Sequence, residues 1–238
     1  PNSTPDDADQ AGAFLGLSVA SAGDVNGDGY SDVIIGAYQY DDAPNNNEGR
    51  AFVYHGSPAG LSATPNSTPD DANQVNANFG FSVASAGDVN GDGYSDVIIG
   101  ATLFNDVFAS EGRAFVYYGS PTGISASPDN TPDDADQANA NFGFSVASAG
   151  DINGDGYGDV IIGAASFDDT FANEGKAFVY HGSAAGLSAT PNSTPDDADQ
   201  LNAIFGNSVA CAGDVNGDGY SDVIIGAYQY DGGFINEG

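Results

Sequence analysis

The sequence predicts an all-β fold, a β-propeller built from four-stranded antiparallel blades. Three observations carry that prediction: a repeat of about 63 residues, three strand-like segments in each copy, and glycine-rich turns between them. The repeat is paced by the nonapeptide DVNGDGYSD at 24–32. It returns at 88–96, as DINGDGYGD at 151–159, and again at 214–222. The leading residues Asp24, Asp88, Asp151 and Asp214 are spaced by 64, 63 and 63. RAFVYHGS at 50–57 returns as RAFVYYGS at 113–120 and KAFVYHGS at 176–183, and PNSTPDDADQ at 1–10 has counterparts starting at 65, 128 and 191. The chain is therefore read as one propeller region, 1–238. Its repeats run approximately 1–64, 65–127, 128–190 and 191–238, the last being incomplete.

Each element follows from its pattern. FGFSVASAG at 79–87 alternates apolar and small residues, as a strand does. DVIIGA at 96–101 is a short β-branched run, as expected of a strand covered on both faces. RAFVYYGS at 113–120 alternates and is aromatic. SATPNST at 62–68 predicts a weaker fourth strand, kept at an edge because proline cannot donate to a ladder. No segment has a helical period, and the coils of a β-solenoid, the alternative, are much shorter than this repeat. The chain starts in a fourth, outer strand and stops at Gly238, just before a third. A ring closed on itself would lack one strand, so the reading favours a piece of a longer propeller, with self-association to complete it as the other route.

Charge narrows the partners. The chain has 34 acidic and 3 basic residues, a formal net charge of -31. Nucleic acid and anionic membrane surfaces are excluded by repulsion. No apolar run nears the ~18 residues that span a bilayer, so membrane insertion is not expected. Cys211 is the single cysteine and stands where Ser21, Ser85 and Ser148 stand, which predicts a small buried replacement. His55 and His181 occupy the position of Tyr118, so they are expected to be packed aromatics rather than catalysts. No serine has a repeat-breaking His and Asp around it, and an enzyme is not expected. Arg50, Arg113 and Lys176 each follow an EG turn, where a salt link to a nearby acid is expected.

The nonapeptide has the chemistry of a hard-cation loop. Side-chain oxygens fall at positions 1, 3, 5 and 9, position 6 is glycine, and the tyrosine at position 7 offers its backbone carbonyl. Oxygen ligands so spaced suit Ca²⁺. The candidate ligands are Asp24, Asn26, Asp28, Tyr30 and Asp32; Asp88, Asn90, Asp92, Tyr94 and Asp96; Asp151, Asn153, Asp155, Tyr157 and Asp159; and Asp214, Asn216, Asp218, Tyr220 and Asp222. The start matches an EF-hand loop, but the last acid comes at position 9 and the flanks are strands. A metal-free Asx turn would account for the glycines and asparagine. It would not account for three like charges on one turn, written four times. One Ca²⁺ per repeat, four in the chain, would bring -31 to about -23.

FGFS at 79–82 and 142–145, followed by the acidic loop and then IIGA, resembles the FG-GAP repeat. That repeat builds the propeller at the head of integrin α subunits and occurs in secreted bacterial proteins. The first copy departs from it with FLGLS at 14–18, and no proline follows IIGA in any copy. The resemblance implies an extracellular or cell-surface module, non-catalytic, calcium-binding, and structural or adhesive. A lectin-like glycan binder and an accessory region of a larger secreted enzyme are the alternatives. It also implies that the FG strand is innermost and that the calcium loop joins the first two strands. The variable segments 38–48, 102–111, 165–174 and 228–238 then share the opposite face with the DDADQ loops. Their aromatics Tyr40, Phe104, Phe108, Phe167, Phe171 and Phe234 are the candidate surface for a protein or glycan ligand, or else pack between blades.

Overall fold

The computed structural model describes residues 4–6 and 8–234. Among them are eleven strands and no helix, hence none long and apolar enough to cross a membrane. The strands are β1 (Leu15–Gly23), β2 (Asp32–Ala37), β3 (Arg50–Tyr54), β4 (Phe79–Gly87), β5 (Asp96–Ala101), β6 (Arg113–Tyr117), β7 (Phe142–Gly150), β8 (Asp159–Ala164), β9 (Lys176–Tyr180), β10 (Phe205–Gly213) and β11 (Asp222–Ala227). They form antiparallel sheets in the orders β1-β2-β3, β4-β5-β6, β7-β8-β9 and β10-β11. The acidic loop joins the first two strands of every sheet, and the register repeats: Val83 faces Ile99, Val146 faces Ile162 and Val209 faces Ile225.

The fourth strand is smaller than the sequence predicts. It amounts to one bridge per repeat, Val53 with Ser67, Val116 with Asn130 and Val179 with Ser193. Val53 N–H donates to the Ser67 carbonyl at 2.9 Å and Ala51 N–H to that of Pro69 at 3.0 Å. Pro65 and Pro69 bracket the bridge, and neither has an N–H to extend it. The outer strand expected at the chain's start lies mostly outside the described residues. Cys211 is exposed rather than buried, and the serines at the same register, Ser21, Ser85 and Ser148, are exposed or half-buried in their three-stranded sheets as well.

The cores lie between sheets. One cluster joins Val25, Ile34 and Val53 of the first repeat to Phe79, Val83, Ile99, Phe115 and Tyr117 of the second. The next joins Val89, Ile98 and Val116 to Phe142, Val146, Ile162 and Tyr180. A third joins Ile161 and Val179 to Phe205, with Val209, Val223 and Ile225 packed against it. The two isoleucines of each DVIIGA strand thus point opposite ways, Ile98 into the following repeat and Ile99 into the preceding one. That is why the strand carries no polar alternation. The first strand of each repeat packs across the preceding sheet, β4 against β1 and β2. Tyr38, Phe81 and Phe144 follow one another along this inner row, edge-to-face and then tilted, at 5.5 and 5.1 Å between centroids.

Glycine sets the distance between sheets. The carbonyls of Gly80, Gly143 and Gly206 sit against Gly36, Gly100 and Gly163, where a Cβ would come inside the 3.0 Å that real Cβ atoms keep. Gly100→Ala is therefore expected to cost about 3 kcal/mol or more, since backbone must move. Gly226→Ala, which would meet only the Ser208 side chain that closely, is expected to cost far less; parallel urea titrations test the contrast. A second expectation concerns Ile204, which holds φ at 57° where Asn78 and Asn141 hold 58° and 57° in the sister repeats. A β-branched residue is strained there while asparagine is tolerated. Ile204→Asn is expected to stabilise the chain by about 1 kcal/mol, read as a raised melting temperature.

Candidate functional site

The acidic loop is a preformed turn. In the second repeat Asp88 accepts N–H bonds from Gly91 at 2.7 Å, Asp92 at 3.0 Å and Gly93 at 2.8 Å. Asn90 Oδ1 accepts from Asp92 N–H, and Asp92 Oδ1 from Tyr94 N–H, both at 3.0 Å. Gly91 and Gly93 take φ of 73° and 90°, the left-handed region the turn requires. The Gly93 N–H bond to Asp88 recurs from Gly29 to Asp24, Gly156 to Asp151 and Gly219 to Asp214 at 2.8–2.9 Å. The ninth residue is the anchor. Asp96 is fully buried, and its two oxygens accept from Val89 and Gly119 N–H, each at 2.8 Å. Asp32 and Asp159 are held the same way, Asp32 by Val25 and Gly56 and Asp159 by Ile152 and Gly182.

The donor set suits a hard cation, although it is not gathered into a finished cage. Among the described residues no three His, Cys, Asp or Glu side chains converge closely enough to hold a metal. The Asp88 oxygens face backbone N–H groups, and Asp92 Oδ2 accepts from Asn90 Nδ2 at 2.9 Å. Binding would turn side chains on a backbone already shaped. The carboxylates nonetheless sense one another. Burial pushes the Asp96 pKa up to about 7, and the charges of Asp92 and Asp88 push the same way against the two N–H bonds. Asp32 is raised chiefly by burial, with Asp28 adding to it, and Asp159 likewise with Asp155.

The first three loops are each backed by the following repeat. Tyr94 lies on Gly27, Tyr157 on Gly91 and Tyr220 on Gly154, at 2.5 Å from a Cβ placed on Gly27 or Gly91. Ser95 N–H donates to the Asp24 carbonyl at 3.0 Å, Gly158 to Asp88 at 2.7 Å and Ser221 to Asp151 at 2.9 Å. Asn26 Nδ2 also meets His55 Nδ1 at 3.2 Å, so this histidine packs beside its loop.

The opposite face is organised by groups whose roles the sequence pattern did not reveal. Glu48, Glu111 and Glu174 are buried. Glu111 accepts the N–H groups of Asp106, Val107 and Phe108 at 2.9–3.1 Å, and Glu174 those of Thr170 and Phe171 at 2.8 and 3.0 Å. Glu48 accepts instead from Asn45 Nδ2 and from Asn73 N–H, both at 2.8–3.0 Å. Each is a buried acceptor at the base of its variable loop; the only sequence sign was an EG pair once per copy. The DDADQ segments are straps between neighbouring blades. Arg50 pairs with Asp42 of its own loop at 2.6 Å and with Asp70 of the strap at 2.5 Å. Arg113 pairs with Asp106 and Asp133, and Lys176 with Asp169 and Asp196. Asp71 accepts from Tyr117 Oη of the next blade at 2.8 Å, and Asp134 from Tyr180 at 2.7 Å. Gln74 exchanges two hydrogen bonds with the Asn105 backbone.

This arrangement divides the candidate ligand aromatics. Tyr40, Phe104 and Phe167 pack on Phe52, Phe115 and Phe178 at 5.9–6.0 Å between centroids. Arg50, Arg113 and Lys176 cover their other faces at 4.5–4.7 Å. These three are structural groups beneath a cation. Phe108, Phe171 and Phe234 are exposed. Two equivalent clefts open at the outer edge between blades, of about 270 Å³ between Pro69–Asp71 and Ile124–Ala126 and about 170 Å³ between Pro132–Asp134 and Leu187–Ala189. Glu111→Ala, which strands three N–H groups, is expected to cost about 2–3 kcal/mol. Glu111→Gln, which keeps an acceptor, is expected to cost less; urea unfolding of both variants checks this.

The comparisons agree with this geometry. The FG-GAP repeat model matches residues 15–54, 79–117, 142–180 and 205–237. The chain is 32% identical to integrin alpha-4 of Xenopus laevis over 228 residues, covering 92% of this chain and 20% of that protein. It is 32% identical to integrin alpha-V of Gallus gallus, with the same two coverages. It is 33% identical to integrin alpha-PS2 of Drosophila melanogaster, covering 94% and 16%. The chain thus spans about a fifth or less of the length of these relatives. Among solved structures, rhamnogalacturonan lyase YesW aligns with a TM-score of 0.50 at 16% identity, over 87% of this chain and 39% of that one, a likeness of fold alone. Four matched repeats, each built as an antiparallel blade with its acidic loop between the first two strands, place this chain in the FG-GAP repeat family of integrin α-type β-propeller modules.

Proposed function

We propose that this chain is an extracellular, non-catalytic β-propeller module for adhesion or surface architecture, and that it binds one calcium ion in each acidic loop. The observation that carries the reading is the fourfold recurrence of one oxygen-rich turn whose ninth aspartate accepts a backbone N–H in every copy and is buried in the first three. In the second repeat Asp88, Asn90, Asp92, Asp96 and the Tyr94 carbonyl would hold the ion, and the matching residues would do so in the other three. The ion supplies counter-charge. The chain's own residues shape the turn and fix the loop to the next blade. Millimolar calcium outside cells suits sites of moderate affinity, and the membership in a family shared with integrin α subunits supports a surface setting. Partner recognition falls to the opposite face, where Phe108 and Phe171 stand out of the packed framework. Glycan binding is the second reading, favoured by the two equivalent inter-blade clefts; a glycan array set against a panel of matrix proteins separates the two.

Metal bound only to the folded chain stabilises it. Chelation with EDTA is expected to lower the melting temperature by at least about 10 °C, restored by excess calcium. Calorimetric titration is expected to count four calcium ions on the wild-type chain and three on Asp88→Asn/Asp92→Asn. No calcium uptake together with an unchanged melt would refute the calcium reading.

A further inference from the structure

Every acidic loop contains an Asn-Gly linkage, at 26–27, 90–91, 153–154 and 216–217. Such a linkage is able to rewrite itself. The glycine nitrogen attacks the asparagine Cγ, the new N–Cγ bond closes a succinimide ring, and the Cγ–Nδ2 bond breaks. The proton lost from the glycine nitrogen balances the one gained by Nδ2, which leaves as ammonia. Water then opens the ring at either carbonyl, giving aspartate or isoaspartate. Glycine permits the attack because no side chain shields its nitrogen, and the attack is intramolecular.

The fold treats the four linkages unequally. Gly91, Gly154 and Gly217 N–H donate to Asp88, Asp151 and Asp214, the first aspartates of their loops, each at 2.7 Å. Attack requires that nitrogen to give up its proton and turn toward Cγ, so this bond has to break first. A carboxylate is far too weak a base to take an amide proton, so it pins the nitrogen rather than activating it. In the first loop Asp24 accepts from Asp28 N–H at 3.1 Å and Gly29 N–H at 2.8 Å. Gly27 N–H has no hydrogen-bond partner among the described residues.

The rest of the linkage matches. Gly27, Gly91 and Gly154 hold φ at 71°, 73° and 76°. In these three loops the asparagine is half-buried and the glycine exposed. The asparagine Oδ1 accepts from Asp28, Asp92 or Asp155 N–H at 2.9–3.0 Å. The nonapeptides 24–32 and 88–96 are identical, so any difference between Asn26 and Asn90 comes from the fold. The Asp-Gly linkage two residues on is pinned in all three loops, where Gly29, Gly93 and Gly156 N–H donate at 2.8–2.9 Å.

We propose that Asn26–Gly27 is a self-modification site, and that the folded chain converts it to aspartate or isoaspartate ahead of the other loops. Aspartate keeps the acceptor for Asp28 N–H, but replaces the Asn26 Nδ2 bond to Asp28 Oδ2 with a like charge. Isoaspartate routes the main chain through the side chain and adds a methylene, which breaks the spacing of the loop. The first loop thereby changes with the age of the molecule. The reaction needs only water and does not require that the loops hold calcium.

The test is to incubate the folded chain in EDTA at mildly alkaline pH and follow each linkage by mass-spectrometric peptide mapping. Asn26 is expected to convert about tenfold or more faster than Asn90 and Asn153, the factor a hydrogen bond to a charged acceptor supplies. In urea the lead is expected to vanish. Asp88→Ala releases Gly91 N–H and is expected to bring Asn90 up to the Asn26 rate. Asp88→Asn, a milder change that leaves a neutral acceptor, is expected to fall between; circular dichroism checks that both stay folded. Asn26 Nδ2 also meets His55 Nδ1 at 3.2 Å, so His55→Tyr, the residue type of Tyr118, is the control and is expected to leave the lead intact. Equal rates at Asn26 and Asn90 in the folded chain would overturn the proposal. So would a lead lost in His55→Tyr, or an Asn90 rate unmoved by both Asp88 variants.

Discussion

The middle strand of each blade must be covered twice. β2, β5 and β8 read DVIIGA, and a strand so apolar has little to give to water on either face. Its own sheet supplies neighbours only in the plane, so the covering has to come from the blades before and behind. Everything else serves that requirement. Glycines let inner strands approach until carbonyl meets backbone. The straps run from the outer edge of one blade to the next, bonded to both. Stability in such a stack is a sum over blades and nearest-neighbour junctions rather than the property of one central core.

The second constraint is charge. A chain with 34 acids and 3 bases cannot pair most of its carboxylates with basic side chains. It satisfies many of them by backbone N–H groups instead: the first and ninth aspartates of each loop, and the glutamates under the variable loops. The basic residues are concentrated. Each sits between two aspartates and over an aromatic ring at the corner where a variable loop meets a strap. One side chain there fastens three segments, and the partial burial of the cation makes these pairs worth more than exposed ones.

Most of the architecture was legible in the residues because its signals are local. Alternation, β-branched runs and turn glycines fix the three main strands and their order within each repeat. The fourth strand was overestimated because Pro65 and Pro69, correctly placed at an edge, leave room for a single bridge. The acidic loops were legible in position and spacing, and their Asx-turn bonding follows from the same residue types. What was not legible depends on distant groups. Nothing near Glu111 in the chain marks it as buried beneath three converging N–H groups. Phe104 and Phe108 sit four residues apart in one loop, yet one is covered by Arg113 and the other faces solvent. Cys211 looked like a buried serine substitute, but the serines it replaces are themselves exposed or half-buried, which their small size does not reveal.

The tyrosine that rests on the preceding loop has a consequence in time. Tyr94 and Ser95 finish the turn at 24–32, Tyr157 and Gly158 that at 88–96, and Tyr220 and Ser221 that at 151–159. A chain that emerges from its N-terminus therefore completes no loop when that loop is made. Each waits for the next copy, one full period later, and is sealed by its successor. During synthesis the growing end is always one repeat behind its own consolidation, and order advances along the chain as a front with a fixed lag.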